Sequence, residues 1–276
     1  MVDVSRVPLT ASVDLALGGR WASISGGGRE WLWFRHDPAR AAVRPGDHFV
    51  DSGGLEECIP TVRGTPDHGE AWSHPWRRDD GDDVVDCQDF VLRRGIRHVA
   101  GSIVASYRLV ADAGYRFLWA GHALLDVSES ARLDAPVGVQ TLVYSEAAGL
   151  LADAWPPGAT TMVGTWPEPL GLPLWRLGPT DGTAIGAILG CTDVRVLDGR
   201  DRLRIRLEVD NQPSGTALWR NLGGFPPGAP YRSVGVEPML GSAFNLAEAA
   251  PHQTARVPAS GEVSWRLIIS AERTYR

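Results

Sequence analysis

Alternation of apolar and polar residues with a period of two dominates this chain. In residues 202–209, every second residue is aliphatic and the others are charged, as in a strand with one solvated face. Further β-type runs lie at 12–17, 21–24, 31–34, 89–93, 99–110, 115–127, 184–189 and 262–270. Helical spacing is confined to two short stretches, 146–155 and 244–250. The pattern predicts an all-β fold.

Glycine and proline predict where the strands are interrupted. The 32 glycines and 20 prolines are spread along the chain without a linker-like tract, which predicts one domain over residues 1–276. Residues 111–114 end in Gly114 and predict a hairpin loop between two strands. Residues 37–86 and 221–234 are predicted to be long loops. Because loops on a β scaffold often carry binding groups, we expect function there.

The charge of the chain narrows the class of partner. The formal net charge is -6, and all 27 basic residues other than histidine are arginines. A nucleic acid or an anionic membrane needs a dense positive field, so neither is expected. Without lysine, Schiff-base catalysis and a phosphate-loop lysine are excluded. A small neutral molecule fits this composition better.

The absence of several sequence motifs narrows the chemistry. Cys58, Cys87 and Cys191 show no C-x-x-C spacing, and an odd scattered set predicts a reducing cytoplasm. No signal-peptide pattern or membrane-length apolar run is present, so we expect a soluble, untargeted chain. Motifs for serine hydrolases, nucleotide binding and zinc proteases are missing. His68 and Glu70 offer only two metal ligands, so no metal and no cofactor is expected.

Acids, imidazoles and indoles gather in the segment 53–76. The candidate residues there are Asp67, His68, Glu70, Trp72 and Trp76. Carboxylates and imidazoles bind hydroxyl groups, while indole faces cover C–H surfaces. The mixture therefore suits a polyhydroxylated ring. An alternative is that the tryptophans cap the core and that Asp67 or Glu70 merely holds His68.

Two further ionisable residues lie in apolar, strand-like runs. Alternation places His122 on the same face as Ala120 and Leu124, where it is either a hydrogen-bonded core histidine or the wall of a pocket. Glu237 precedes Pro238. Its carboxylate is either paired with an arginine or held partly desolvated as a base with a raised pKa.

The order of these segments resembles that of the galactose mutarotase (aldose 1-epimerase) superfamily from end to end. The chain opens with a hairpin-like segment, 16–33, followed by GG-x-x-x-x-x-P at 53–60 and by His68-Gly69. A strand with His122, a late strand with Glu237 and a closing strand at 260–267 follow. The resemblance implies a β-supersandwich and a cofactor-independent isomerase that interconverts sugar anomers.

The resemblance also implies roles for individual residues. Glu237 would be the general base at the anomeric hydroxyl and His122 the general acid at the ring oxygen, with His68 holding the ring oxygen or a neighbouring hydroxyl. The sugar-binding residues would be Asp67, Glu70, Trp72, Trp76, Arg77, Asp181 and Asn221.

Two alternatives for the function remain at this stage. Residues 53–60 look closer to the hexose-phosphate epimerase branch, for which Arg63, Arg77 and Arg78 offer positive charge. A non-catalytic carbohydrate-binding protein of the same fold is the other alternative, because a fold does not fix a function. In each case the expected partner is a small-molecule sugar. The oligomeric state is open.

Overall fold

The computed structural model describes residues 3–275. The first strands are β1 (Asp3–Val7), β2 (Thr10–Asp14), β3 (Arg20–Gly26), β4 (Arg29–Glu30), β5 (Leu55–Cys58), β6 (Arg77–Asp79), β7 (Asp82–Asp86), β8 (Phe90–Val99), β9 (Ser102–Ala111), β10 (Arg116–Phe117) and β11 (Trp119–Leu125). The remaining strands are β12 (Arg132–Asp134), β13 (Gln140–Tyr144), β14 (Thr161–Thr165), β15 (Ala184–Leu189), β16 (Asp193–Asp198), β17 (Asp201–Val209), β18 (Ser214–Phe225), β19 (Tyr231–Leu240), β20 (Ala255–Arg256) and β21 (Glu262–Tyr275). Short 3₁₀ helices span Pro38–Ala42, Ser145–Leu150, Pro169–Gly171 and Pro251–Gln253.

Two large antiparallel sheets form the fold. Within residues 3–275, a nine-stranded sheet has the order β12-β16-β17-β21-β9-β8-β7-β6, and β1 also pairs with β21. A ten-stranded sheet has the order β14-β13-β15-β18-β19-β11-β5-β3-β2, and β4 also pairs with β3. A small ribbon joins β10 to β20. The all-β prediction is confirmed.

The sheets enclose an aromatic and aliphatic core. On β17, Leu203, Ile205 and Leu207 are buried, as the alternation in the sequence predicts. The indole of Trp119 on β11 lies 5.1 Å from the ring of Tyr107 on β9 and 5.2 Å from that of Trp265 on β21, measured between ring centroids. These contacts join the inner faces of the two sheets.

A buried polar network also joins the sheets. Arg94 on β8 is fully buried and donates to the Glu57 carboxylate on β5 at 2.7 Å and to Asp83 at 3.0 Å. Glu57 also accepts hydrogen bonds from the Tyr107 hydroxyl and the Trp119 indole. A buried charge needs such partners, because leaving it unpaired costs several kcal/mol.

Several local predictions are wrong. Residues 111–114 do not form a hairpin, because β9 pairs with β8 and β21 whereas β11 lies in the other sheet. The chain crosses between sheets there. Residues 37–86 include β5, β6 and β7, and most of 221–234 belongs to β18 and β19. Of the two helical stretches, 146–155 contains part of a 3₁₀ helix and 244–250 forms turns. No helix among the described residues has the length and apolarity needed to span a membrane.

Candidate active site

A cleft of about 1000 Å³ opens over one face of the ten-stranded sheet. Its polar and aromatic lining consists of Arg35, Asp37, Phe49, Asp51, Arg63, Asp67, His68, His122, Glu146, Thr183, Trp219, Phe225, Tyr231, Glu237 and Phe244. Clefts that bind small molecules combine apolar walls with a few polar groups, and this lining has that character.

The floor of the cleft is set by strand register. Ala120 lies opposite Met239 and Leu124 lies opposite Gly235 across β11 and β19. This register places His122 opposite Glu237, and residues directly opposite each other point to the same face of a sheet. The Nε2 atom of His122 lies 3.7 Å from Oε1 of Glu237. Two residues far apart in sequence thus form one pair.

Burial shifts the pKa of both members of this pair. His122 is 8% exposed and Glu237 is 2% exposed. Burial lowers the pKa of His122, although the Glu237 carboxylate opposes the shift. Burial likewise raises the pKa of Glu237, against the positive charges of His122 and Arg63. Loss of solvation disfavours the charged form of each group, so the two pKa values move towards one another.

His68 is held beside this pair by its loop. Its backbone is in the left-handed region, with φ of 61°, and its Nδ1 lies 3.1 Å from Oδ1 of Asp67. The next residue must be glycine, because a Cβ on Gly69 would lie 2.0 Å from the Ile59 carbonyl oxygen. The ring of His68 meets that of His122 edge to face, 5.1 Å between centroids. Two imidazoles therefore face the cleft.

Phe49 packs against both imidazoles. Its ring stacks on that of His68 at 3.6 Å between centroids and meets the ring of His122 edge-on at 5.8 Å. These contacts limit the rotation of both imidazoles.

Asp67 carries a carboxylate with a lowered pKa. Burial acts to raise that pKa, but the imidazoles of His68 and His122 outweigh the effect of burial. The side chain is still 46% exposed. An ionised carboxylate therefore lies at the edge of the cleft, where it can accept a hydrogen bond from a ligand hydroxyl.

A second set of polar groups lines the same cleft. The Tyr231 hydroxyl donates to the Asp51 carboxylate, and the Tyr231 ring is stacked on Trp33. The guanidinium of Arg35 lies 4.6 Å from the centre of the same tyrosine ring. A ligand in the cleft meets an acceptor and a cation here.

Arg63 and three aromatic rings form the remaining wall. Its guanidinium lies 4.6 Å from the centre of the Phe244 ring and 5.9 Å from that of Trp219. It is also paired with the Glu146 carboxylate. The Trp219 ring meets Phe225 edge to face. The exposed part of the Trp219 indole offers a flat apolar surface to a ligand.

The structure places other expected sugar-binding residues outside the cleft. Trp72 is buried and its indole N–H donates to the carbonyls of Asp67 and Gly69. Trp76 is also buried, and it donates to the Ala71 carbonyl. The tryptophans therefore support the loop from within the core and supply no wall of the cleft, which corrects the expectation from sequence.

Arg77 and Glu70 also point elsewhere. Arg77 is exposed on β6, where its guanidinium lies 2.9 Å from the Asp86 carboxylate. The carboxylate of Glu70 accepts a hydrogen bond from the backbone N–H of Gln88. The backbone between His68 and Glu70 has positive φ at His68 and Gly69, and the Glu70 carboxylate lies outside the cleft that His68 and His122 line. Neither residue lines the cleft.

Asp181 and Asn221 have structural partners instead. Asp181 accepts from Arg220 at 3.0 Å and from the Thr183 hydroxyl. The buried amide of Asn221 bonds the backbone of Gly224 and Phe225 and the hydroxyl of Ser233. Asn221 therefore shapes the end of β18, and Asp181 borders the cleft only through its neighbours.

Sequence reasoning missed part of the lining. Arg35, Phe49, Asp51, Trp219 and Tyr231 lie on the cleft. One signal was available, because Asp51 lies two residues before Gly53, at the start of the GG-x-x-x-x-x-P segment. No comparable signal marks Trp219, which lies in the middle of an ordinary strand.

Comparison with known proteins identifies the fold. No protein-family model matches the sequence, and no curated protein matches it. Among solved structures, the Slr1438 protein from Synechocystis sp. PCC 6803 has 15% identity and a TM-score of 0.65, over 98% of this chain and 95% of that one.

Two similar structures carry mutarotase descriptions. A galactose mutarotase related enzyme from Lactobacillus acidophilus has 11% identity and a TM-score of 0.60, over 100% of this chain and 98% of that one. A galactose mutarotase-like protein from Lactobacillus casei has 13% identity and a TM-score of 0.56, over 99% and 100%. The chain therefore has the galactose mutarotase-like fold, which confirms the fold that the resemblance implied.

Proposed function

We propose that the protein is a mutarotase-like (aldose 1-epimerase) enzyme that interconverts the anomers of a sugar. The observation that carries the proposal is the buried pair of His122 and Glu237, with 3.7 Å between Nε2 and Oε1, on the floor of the cleft. Ring opening of an aldose needs one general base and one general acid. This pair supplies both groups.

The proposed reaction moves two protons. The Glu237 carboxylate takes the proton of the anomeric hydroxyl while the His122 imidazolium protonates the ring oxygen, so the bond between C1 and the ring oxygen breaks. The free aldehyde rotates about the C1–C2 bond. Closure on its other face returns both protons and gives the second anomer. His68, edge-on to His122, binds the ring oxygen or a neighbouring hydroxyl.

The walls of the cleft support a sugar as ligand. The indole of Trp219 and the rings of Phe244 and Phe225 present apolar surface, and C–H faces of pyranoses pack on such surfaces. Asp51 and Asp67 present acceptors for hydroxyl groups. A cleft of about 1000 Å³ accommodates a monosaccharide or a larger sugar.

The charges of the cleft favour a neutral sugar over a sugar phosphate. Among residues 3–275, its lining includes five carboxylates, namely Asp37, Asp51, Asp67, Glu146 and Glu237, and two arginines, Arg35 and Arg63. Arg63 is already paired with Glu146. A phosphate group would therefore meet a surplus of negative charge.

The test is anomer interconversion across a panel of free sugars and sugar phosphates, followed by NMR or polarimetry. Saturation-transfer NMR on the same panel reports binding. We expect at least one neutral aldose to bind and its interconversion to exceed the rate in buffer. Binding without acceleration across the panel would instead identify a carbohydrate-binding protein and contradict the proposed enzyme.

A further inference from the structure

Three ligand-type side chains meet outside the cleft. One carboxylate oxygen of Glu70, one imidazole nitrogen of His74 and Sγ of Cys87 lie within 4.8 Å of one another, and all three residues are partly buried. Glu70 and His74 belong to the loop that follows His68, and Cys87 comes directly after β7. None of the three lines the sugar cleft.

The imidazole of His74 is held by one of its two ring nitrogens. Its Nδ1 lies 2.8 Å from the Glu70 backbone carbonyl. A carbonyl oxygen only accepts hydrogen bonds, so Nδ1 carries the proton and Nε2 keeps its lone pair. Metal-binding histidines generally use the second ring nitrogen in this way.

The carboxylate of Glu70 is also held in place. Its Oε2 accepts a hydrogen bond of 3.2 Å from the backbone N–H of Gln88, the residue after Cys87. This bond ties the Glu70 side chain to the segment that carries the thiol. The second oxygen, Oε1, remains as a donor to a cation.

Further acidic residues flank the cluster. Asp86 precedes Cys87 in the chain, and Asp89 follows it by two residues. A divalent cation would offset this negative charge.

We propose that Glu70, His74 and Cys87 bind a zinc ion, with water in the fourth position. Thiolate, imidazole and carboxylate are the ligand types that Zn²⁺ takes in proteins. Ligand atoms around a tetrahedral zinc lie roughly 3.3–3.8 Å apart, given bonds of about 2.0–2.3 Å. The three ligand atoms of the cluster reach this geometry when the distances between them shorten by about 1 Å.

The zinc ion would fasten one loop to another. The segment 67–74 carries Asp67 and His68 on the cleft side and Glu70 and His74 on the other side. Zinc at Cys87 would hold this segment against the end of β7. The site is independent of the proposed sugar chemistry, because none of its ligands faces the cleft.

The test uses reduced, chelator-treated protein titrated with Co²⁺ and then Zn²⁺, without any sugar. We expect one equivalent of Co²⁺ to bind, with a thiolate-to-cobalt charge-transfer band in the near ultraviolet that Zn²⁺ abolishes. The band should disappear in Cys87→Ser. It should remain in Cys191→Ser, the control, because Cys191 is also partly buried but lies outside the cluster.

A second measurement covers the other ligands. Glu70→Gln and His74→Gln should each weaken Zn²⁺ binding at least 10-fold, and Zn²⁺ should raise the thermal unfolding midpoint of the wild type more than that of either variant. Circular dichroism without metal shows whether each variant folds. Absence of the cobalt band in the wild type, or its persistence in Cys87→Ser, would overturn the zinc site.

Discussion

Glu56 on β5 lies directly opposite His122 on β11. Since Glu237 lies opposite His122 on the other side, the three ionisable residues form one row across neighbouring strands. The Glu56 carboxylate is 2% exposed and accepts hydrogen bonds from Arg40 Nε and Nη2. Burial, opposed by Arg40 and Arg20, raises its pKa from 4.5 to about 7. A buried ion pair thus lies beside the proposed catalytic pair of His122 and Glu237.

The raised pKa of Glu56 predicts a pH-dependent stability. Between pH 4.5 and about 7, the folded protein binds more protons at this carboxyl than the unfolded chain does. The contribution of Glu56 to the free energy of unfolding therefore falls as the pH rises, by about 1.4 kcal/mol per unit of pKa difference. Urea unfolding at several pH values should show that wild type loses stability relative to Glu56→Gln over this range. Glu262→Gln, at an exposed position, should follow the wild type, and equal slopes for all three proteins would contradict the shift.

Substitution of either proposed catalytic residue should lower the rate of turnover strongly and leave sugar binding intact. Glu237→Gln keeps shape but accepts no proton, and His122→Asn donates none to the ring oxygen. General acid or base catalysis is worth about 10²- to 10⁴-fold, so we expect kcat for anomer interconversion to fall by that order in each variant. Sugar binding in saturation-transfer NMR should persist. Near-wild-type kcat in both variants would place the chemistry elsewhere.

The pH profile of kcat/KM should be narrow, with its maximum at mildly acidic pH. The proposed active form has Glu237 ionised and His122 protonated. Because burial raises the pKa of Glu237 from 4.5 and lowers that of His122 from 6.5, the acid limb of kcat/KM should lie above the pKa of an ordinary glutamate and the alkaline limb below that of an ordinary histidine. The rate then falls on the acid side as Glu237 gains a proton and on the alkaline side as His122 loses one. An alkaline limb above 6.5 would contradict this assignment.

Charge should select against phosphorylated sugars. We expect a free hexose to bind more tightly than its 6-phosphate, with the difference largest at low ionic strength, where charges are least screened. Titration calorimetry with both ligands measures this difference in affinity. If the 6-phosphate binds more tightly and Arg63→Ala removes that preference, the result would favour the hexose-phosphate epimerase alternative. Arg77→Ala, at an exposed residue paired with Asp86, serves as control.

Trp219 should contribute to sugar affinity. Loss of its indole face in Trp219→Ala should raise the Kd of the sugar by roughly 10-fold, which corresponds to about 1.4 kcal/mol. Trp175→Ala provides a matched control, because this tryptophan is also partly buried but donates to Glu168 and lies outside the cleft. Equal losses in both variants would indicate a general effect on the fold.

The class of the fold could be predicted from local pattern. Alternation at 202–209 places Leu203, Ile205 and Leu207 inward, because successive side chains of a strand point to opposite faces whatever the strand pairs with. The places where the chain passes from one sheet to the other could not be predicted in this way. Residues 111–114 have hairpin chemistry, yet β9 and β11 lie in different sheets, since pairing depends on distant strands.

The sequence by itself determined the all-β class and marked His68, His122 and Glu237 as candidates, because residue type and alternation are local properties. Only the tertiary structure decided which side chains share a cleft. The register of β11 against β19 brings His122 to Glu237, whereas the left-handed turn at His68 and Gly69 separates Glu70 from the histidine two residues before it. Trp219 reaches the cleft because β18 pairs with β19 in a register that sets Ala217 opposite Glu237 and Trp219 opposite Gly235, and the alternation within a single strand does not encode that register.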